Sequence, residues 1–328
     1  MVTSPIRPLL LDQIGGPVAH LLADYTEQVR VISGNRDHAA PWHTQGADIL
    51  FTGPSRAWSE APSAPPPEWQ DGPRWVQIAS AGIDSFPKWL TEGRLVTCGR
   101  GDAATPIAEY VISALLHHER QVDALHPTSP QEWETITAPF RHAPVTGTLQ
   151  GRTLGLAGYG AIGRAVASRA RAFGMNVRVL RRGPWTERED GIEPAASLAA
   201  LFRKSDHLVL AMPLTRETRH IVNADILRQA RSGLHLVNIA RGGLIDQDAL
   251  LRALDAGRPA FATLDVTTPE PLPEGHPLYT HPRVRLTPHI SWVGPSVQDN
   301  LVRRIRTNLS HYLRGEPLLD LIDPARGY

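Results

Sequence analysis

Three side chains in the C-terminal half of the chain have the types and positions needed to handle a carbonyl and a carboxylate together. They are Arg241 in NIARGG, Glu270 in LDVTTPEPLP and His289 in TPHISW. Each follows or closes a short apolar run that reads as a strand: Leu234 to Ile239, Ala260 to Asp265 and Val284 to Thr287. Ligands of parallel α/β sheets sit outside the carboxyl ends of the strands, so three such ends aim these residues at one crevice. Singly, each has a plainer reading. An arginine before Gly-Gly is a surface loop residue, a glutamate between prolines is solvated, and a histidine after Thr-Pro is a hydrogen-bonded loop residue. As a set they suit hydride exchange with a 2-keto or 2-hydroxy acid. Hydride arriving at the carbonyl carbon leaves negative charge on oxygen, and an imidazole that titrates near neutrality supplies the proton. A carboxylate on the other ring nitrogen orients the imidazole and raises its pKa. A guanidinium fork fits a substrate carboxylate as lysine does not, and it polarises the keto oxygen.

Hydride needs a carrier, and residues 151–182 (GRTLGLAGYGAIGRAVASRARAFGMNVRVLRR) read as a site for one. Thr153 to Ala157 is an apolar strand, and Gly158, Gly160 and Gly163 follow in G-x-G-x-x-G spacing. A small-residue helix comes next, with Ile162, Val166 and Ala170 at helical spacing and Gly174 at its end, then the strand Val177 to Leu180. The spacing alone also fits a plain turn; its place inside a βαβ unit makes it a dinucleotide fingerprint. Gly158 permits the tight turn, Gly160 lets the backbone approach a pyrophosphate, and Gly163 lets the helix pack on the strand. The helix start at Ala161 and Ile162 then offers unpaired N–H groups to the phosphates. NAD-preferring folds place an acid at the end of the second strand for the ribose 2′-hydroxyl. Here, eighteen residues beyond Gly163, stand Arg181 and then Arg182. Guanidiniums bind a 2′-phosphate, so the reading favours NADP(H) and leaves NAD(H) use open. The plainer alternative is that both arginines simply face solvent.

The elements that must position these residues follow an α/β pattern. Strands are expected at Pro8 to Leu11, Gln28 to Ile32, Asp48 to Thr52, Arg74 to Ile78, Arg94 to Cys98 and His207 to Ala211. Ala61 to Pro73 is a proline-rich surface loop. Ser80, Ala81 and Gly82, after the fourth strand, form either a carboxylate-binding turn or a simple αL turn. A helix is expected from Pro106 to Arg120, and 121–150 read as an irregular arm or dimer contact containing Trp133. His126 and His142 in that arm lack ligand spacing, and no metal is expected. Asp246 caps a helix that Gly257 stops, and a long last helix runs from Pro295 to Arg314 and ends at Gly315. From residue 151 onward the count is six strands, as a complete dinucleotide fold needs.

Composition bounds the rest. A chain of 328 residues implies about two domains. Its 41% apolar and 20% charged residues are those of a globular protein, and a net charge of +1 leaves no nucleic-acid footprint. The single Cys98 excludes an internal disulfide and every cysteine-clustered metal site, and it reads as core filler. No signal-peptide pattern appears, and no apolar run nears the ~20 residues of a membrane helix, so a cytoplasmic enzyme without a membrane partner is expected.

On these residues the chain resembles the D-isomer-specific 2-hydroxyacid dehydrogenases, over nearly its whole length. The stretches that carry the resemblance are TPIAEYV (105–111), GRTLGLAGYGAIG (151–163), SDHLVLAMPLTRETRHIV (205–222), LVNIARGGLIDQDALLRAL (236–254), LDVTTPEPLP (264–273) and LTPHI (286–290). The resemblance implies a glyoxylate/hydroxypyruvate reductase-like enzyme with two Rossmann-like or flavodoxin-like parallel-sheet domains and an active site in the cleft between them. It implies a substrate-binding domain of 1–102 plus 293–328 and a dinucleotide-binding domain of 103–292. Arg241 then anchors the substrate, Glu270 orients, and His289, at the hinge, donates and accepts the proton. Asp265 contacts the nicotinamide carboxamide, while Pro213 to Thr215 and Asn238 to Ala240, including Ile239 and Ala240, line the cofactor. Ser80 to Gly82 match the carboxylate-binding turn, although SAGIDSF departs from the commoner G-x-G-x-D form, so substrate identity does not carry over. Family members are usually homodimers built across their nucleotide domains. After His289 the family often has small residues, whereas this chain has Ser291-Trp292-Val293. Trp292 is expected either to narrow the substrate site or to pack the hinge, and Arg56 and Trp58 are candidates to line the pocket. Two rivals stand beside the reductase: a nucleotide-sensing corepressor-like protein, which the absence of an appended tail disfavours, and a phosphonate dehydrogenase. Formate dehydrogenase is disfavoured, because that branch pairs its histidine with glutamine.

Overall fold

A computed structural model describes residues 7–141, 146–185 and 189–327, and His142 lies outside them. The chain divides into two compact units, Met1–Ala103 with Gly294–Tyr328 and Ala104–Val293. Both are built on wholly parallel sheets covered by helices.

The first unit holds five strands: β1 (Leu9–Asp12), β2 (Arg30–Ser33), β3 (Ile49–Thr52), β4 (Trp75–Ile78) and β5 (Leu95–Thr97). Their order, β2-β1-β3-β4-β5, is that of a flavodoxin-like sheet. Both faces are apolar, as continuous runs such as ILF in β3 require. Helix α1 (Pro17–Ala23) shares one core with the last helix of the chain, Pro295–Arg314, through Leu21, Leu22, Leu301, Ile305 and Leu309. On the other face, Trp58, Trp69, Trp89, Trp42 and Phe86 meet with ring centroids 4.7–6.3 Å apart. Two expectations are corrected here. Trp58, on the short helix α2 (Arg56–Ser59), lines no pocket: it is 1% exposed and its indole N–H donates to Thr52 Oγ1 at 2.9 Å. Arg56 points outward to Glu60 at 2.7 Å. The 61–73 loop is not wholly superficial either, because it sinks Trp69 into this cluster. The apolar area of an indole outweighs the polarity of the proline-rich residues around it.

The second unit carries seven strands: β6 (Thr153–Ala157), β7 (Asn176–Leu180), β8 (Ile192–Pro194), β9 (His207–Leu210), β10 (His235–Asn238), β11 (Phe261–Leu264) and β12 (Val284–Leu286). The order β12-β11-β10-β9-β6-β7-β8 is the dinucleotide-binding arrangement with one strand added at the edge. All six expected strands are present, and a seventh, β8, went unexpected. Three-residue β8, ending in proline at a sheet edge, is too short to show in a pattern, while β12 is the addition. The helices here are α3 (Ala104–Arg120), α4 (Pro130–Thr137), α5 (Ala161–Ala172), α6 (Leu198–Lys204), α7 (Ala224–Leu227) and α8 (Gln247–Asp255); Pro295–Arg314 of the first unit is α9. Helix α4 corrects the irregular reading of 121–150. Ser129 caps it by accepting from Glu132 N–H, and Glu132 reaches back to the Thr128 N–H at 2.7 Å. That S-x-x-E start is a capping-box signal the sequence reading passed over.

The edge opposite the strand ends of interest is tied down by imidazoles. His118 of α3 stacks on His235 at 4.2 Å, and His235 Nδ1 lies 3.2 Å from His207 Nδ1 and its Nε2 2.9 Å from Thr263 Oγ1. Glu119 faces His207 Nε2 at 3.1 Å, and Arg152 and Arg285 act on the group as further positive charges. Burial, reinforced by the His207 charge, lowers the His118 pKa to about 4, and burial also holds His235 well below its ordinary value. Between about pH 4 and the unfolded value of about 6.5, the folded state therefore binds fewer protons than the unfolded one. This part of the stability is complete above that window and is lost as pH falls through it. The melting temperature should drop between pH 7.5 and pH 5 in a thermal-shift series, and the drop should be smaller in His118→Phe.

Candidate active site

The strand order of the second unit reverses between β6 and β9, and the fingerprint turn leaves β6 at that point. Its three glycines are required for different reasons. At Gly158 φ is +111°, and a Cβ would lie 2.4 Å from the Ala211 carbonyl oxygen. A Cβ on Gly163 would lie 2.4 Å from the Gly158 oxygen, so it is the close seating of α5 on the turn that excludes a side chain there. At Gly160 an added Cβ would meet nothing within 4 Å. The protein's own packing places no demand on that position, and the space over it suits the approach of a dinucleotide's phosphates. No side chain caps α5, so the N–H groups beginning at Ala161 and Ile162 remain directed at the same space. The residues present thus fit a bound dinucleotide. Arg181 and Arg182 leave the end of β7, Pro213 follows β9 and has its carbonyl tied to Thr218 Oγ1 at 2.8 Å, and Ile239 and Ala240 follow β10.

Asp265, at the end of β11, is 1% exposed and organises the chemistry-bearing loop. One carboxylate oxygen accepts from Thr287 Oγ1 at 2.6 Å and from Ile290 N–H at 2.9 Å; the other accepts from Ser291 N–H at 3.0 Å. Its carbonyl also receives the His289 N–H at 2.9 Å. These bonds hold His289 at φ +54°, a backbone conformation costly for a residue with a Cβ and one that clusters at functional sites. Tyr110 of α3 braces Thr287 at 2.6 Å from behind.

The left-handed turn puts the His289 ring on Glu270, with Nδ1 2.8 Å from Oε2. Glu270 is held by the Thr267 N–H at 2.9 Å, and its loop is clamped to the start of α8 by Gln247, which exchanges two bonds with the Thr268 backbone at 2.6 and 2.9 Å. The Glu270 bond raises the His289 pKa above the usual imidazole value against the opposing effect of burial. Burial pushes the Glu270 carboxyl upward, but the His289 and Thr267 bonds outweigh it and leave the group below its ordinary range. The positive charge of Arg241 acts on both. That arginine stands at the end of β10, where Asn238 holds its carbonyl at 2.9 Å and its own NH1 donates to the Ala240 oxygen at 2.7 Å. A Cβ on the next residue, Gly242, would fall 2.0 Å from the Thr267 backbone, so the Arg241 and Glu270 loops lie directly against each other. The arrangement can hold a protonated imidazole beside a guanidinium, with Nε2 directed away from the carboxylate.

Arg241, Glu270, His289 and Asp265 are thus brought together. Sequence reasoning missed the supports Gln247, Thr287 and Tyr110, whose signal was only their place in matched stretches. Trp292 is 48% exposed, and its indole N–H returns to the His289 carbonyl at 2.9 Å, so it is neither buried nor packed away. In the first unit, Ser80 and Gly82 form a turn at the end of β4, with Ser80 Oγ donating to the Gly82 carbonyl at 2.6 Å. Exposed Ala81 lies between them.

Residues 112–291 match the family model described as D-isomer specific 2-hydroxyacid dehydrogenase, NAD binding domain. Over 268 residues the chain is 33% identical to a glyoxylate/hydroxypyruvate reductase A of Serratia proteamaculans, covering 77% of this chain and 81% of that protein. Among solved structures, a glyoxylate reductase from Paecilomyes thermophila superposes with a TM-score of 0.77 at 27% identity, covering 98% of this chain and all of that one. A D-isomer specific 2-hydroxyacid dehydrogenase from Xanthobacter autotrophicus Py2, in complex with NADPH and MES, does so with a TM-score of 0.74 at 25% identity over 98% of this chain and all of that one.

The Glu270 bond is what raises the His289 pKa, so Glu270→Gln should bring it down, because burial and Arg241 then act with less opposition. An NMR titration of the His289 ring in both proteins measures the change. An unaltered pKa would mean that the pair does not form in solution.

Proposed function

The chain belongs to the D-isomer specific 2-hydroxyacid dehydrogenase family, NAD(P)-dependent oxidoreductases, and from that premise we propose how its residues reduce a 2-keto acid to the D-2-hydroxy acid. The observation that carries the reading is the His289–Glu270 pair, held at 2.8 Å by a left-handed turn anchored on Asp265. A nicotinamide, when bound at the fingerprint turn, supplies the hydride. Arg241 binds the substrate carboxylate and draws the keto oxygen toward positive charge. His289 Nε2 delivers its proton to that oxygen as negative charge develops there. Glu270, bonded to Nδ1, keeps the ring oriented and stabilises its charged form before transfer. In the oxidation direction the same nitrogen takes the hydroxyl proton. Asp265 holds the His289 turn and, in this reading, offers its remaining lone pair to the carboxamide. The Ser80–Gly82 turn is proposed as a backbone site for a carboxylate, and exposed Trp292 as a wall for the substrate side chain.

Arg181 and Arg182 at the end of β7, where NAD-preferring folds carry an acid, support NADP(H) as the preferred cofactor. A homodimer across the second unit is supported by the outer face of α3 and α5, where Ile112, Leu116, Val122 and Phe173 line an apolar cavity of about 650 Å3. Phe173 and Val122 are 44% and 63% exposed. Light scattering should give twice the chain mass, and Phe173→Asp should lower it to one chain.

Oxidation of NADPH with glyoxylate, hydroxypyruvate and larger 2-keto acids tests the activity, with NADH in parallel. Reduction should fall as pH rises through the elevated His289 pKa, since the protonated ring is the reactant, and oxidation should rise over the same range. His289→Gln should cut turnover on the order of 10²- to 10⁴-fold while leaving NADPH affinity intact. Silence across the whole panel with tight NADPH binding would overturn the enzymatic reading.

A further inference from the structure

Arg181, assigned above to the cofactor, ends a row of two rings flanked by two cations, and the other three members of that row have no part in the steps above. The Arg181 guanidinium lies over the indole of Trp185, 5.3 Å from the ring centroid. Trp185 meets the ring of Tyr159, the middle residue of the Gly-Tyr-Gly turn, at 5.7 Å. Tyr159 carries the Arg164 guanidinium over its other contact surface at 4.5 Å. Glu189 closes the row: it accepts from the Tyr159 hydroxyl at 2.6 Å and pairs with Arg164. Burial together with the Glu189 bond pushes the Tyr159 hydroxyl up to about 12, so it remains a donor at any working pH.

The two arginines are held in chemically different ways. Arg164 meets Glu189 through its N–H edge, which occupies donors that an anion would need. Arg181 instead lies over the Trp185 ring, a contact in which the π surface attracts the cation without taking up its N–H donors in an ion pair. Among the described residues no carboxylate lies within ion-pair distance of Arg181, although its charge is felt by Glu189. The contact with the ring also restricts a long side chain that would otherwise lose rotamer freedom on binding. The platform is itself fixed: Trp185 rests on Tyr159, and Tyr159 is secured at both its hydroxyl and its ring face.

We infer that Trp185 is a positioning residue for Arg181, and that through it the Tyr159–Glu189 clamp sets the preference for a dinucleotide bearing a 2′-phosphate. This rests on the reading that Arg181 receives that phosphate, and it adds the residue that prepares the arginine to do so. The ligand feature recognised is a phosphomonoester on a ribose beside a purine.

Two soluble fragments of the cofactor test the inference without turnover. Titration calorimetry of the whole protein with adenosine 2′,5′-bisphosphate and with 5′-AMP reads the contribution of the 2′-phosphate as a ratio of affinities. The wild-type protein should bind the bisphosphate more tightly. Trp185→Leu, which keeps apolar bulk and removes the π face, should lower that affinity about 2- to 5-fold, the loss of one exposed cation–π contact, and leave 5′-AMP binding unchanged. Trp185→Phe should restore most of the difference. If wild type binds both probes equally, the reading of Arg181 fails. If wild type prefers the bisphosphate and Trp185→Leu keeps the full preference, Arg181 is confirmed and the role of Trp185 is overturned. An equal loss for both probes would likewise overturn it, as the mark of a general distortion of the site.

Discussion

The carboxylate of Asp265 is the constraint on which the active site depends. A buried charge is tolerated only when its lone pairs are used, and this one takes a hydroxyl and two backbone N–H groups from a single five-residue stretch. Satisfying it folds 287–291 around the end of β11 and pins His289 in the left-handed region, where a histidine does not go unaided. Once the backbone is so placed, the ring has one carboxylate within reach, and Glu270 is already held there by Thr267 and by the Gln247 clamp on its loop. The strain at one residue is thus opposed by several ordinary bonds.

The same separation of duties runs through the cofactor end. Gly158 and Gly163 are glycine because neighbouring backbone leaves no room for a Cβ, whereas Gly160 is free of any such demand from the protein. The two arginines at the ends of one row are held differently, Arg164 by an ion pair with Glu189 and Arg181 by lying over the Trp185 ring. Groups that build the site are satisfied within the chain.

Much of this was legible in the residues. Parallel strands buried on both faces are continuous apolar runs, so eleven of the twelve described strands stood out from runs such as VRV, HLVL or LVN, and helix stops such as Gly257 and Gly315 marked helix ends. The pairing of His289 with Glu270 followed from chemistry and from their places at strand ends. What escaped notice was short or local. Strand β8 has three residues and no periodicity to detect, and α4 announces itself only through Ser129 and Glu132. Trp58 was taken for a pocket wall because an indole's type says nothing about which way its helix faces; the tryptophan cluster that absorbs it comes from four separate segments.

The sequence by itself determined the fold class, the dinucleotide turn and the candidate reactive set, because these depend on local periodicity, on glycine's freedom and on intrinsic pKa. Tertiary structure alone decided the rest. It set the His289 turn at φ +54°, made Asp265 the anchor of that turn, and brought Trp185 from beyond β7 onto the fingerprint tyrosine. Those outcomes depend on the directions of side chains from residues far apart in the chain, and direction is fixed only when the backbone closes and every buried polar group must find its bond.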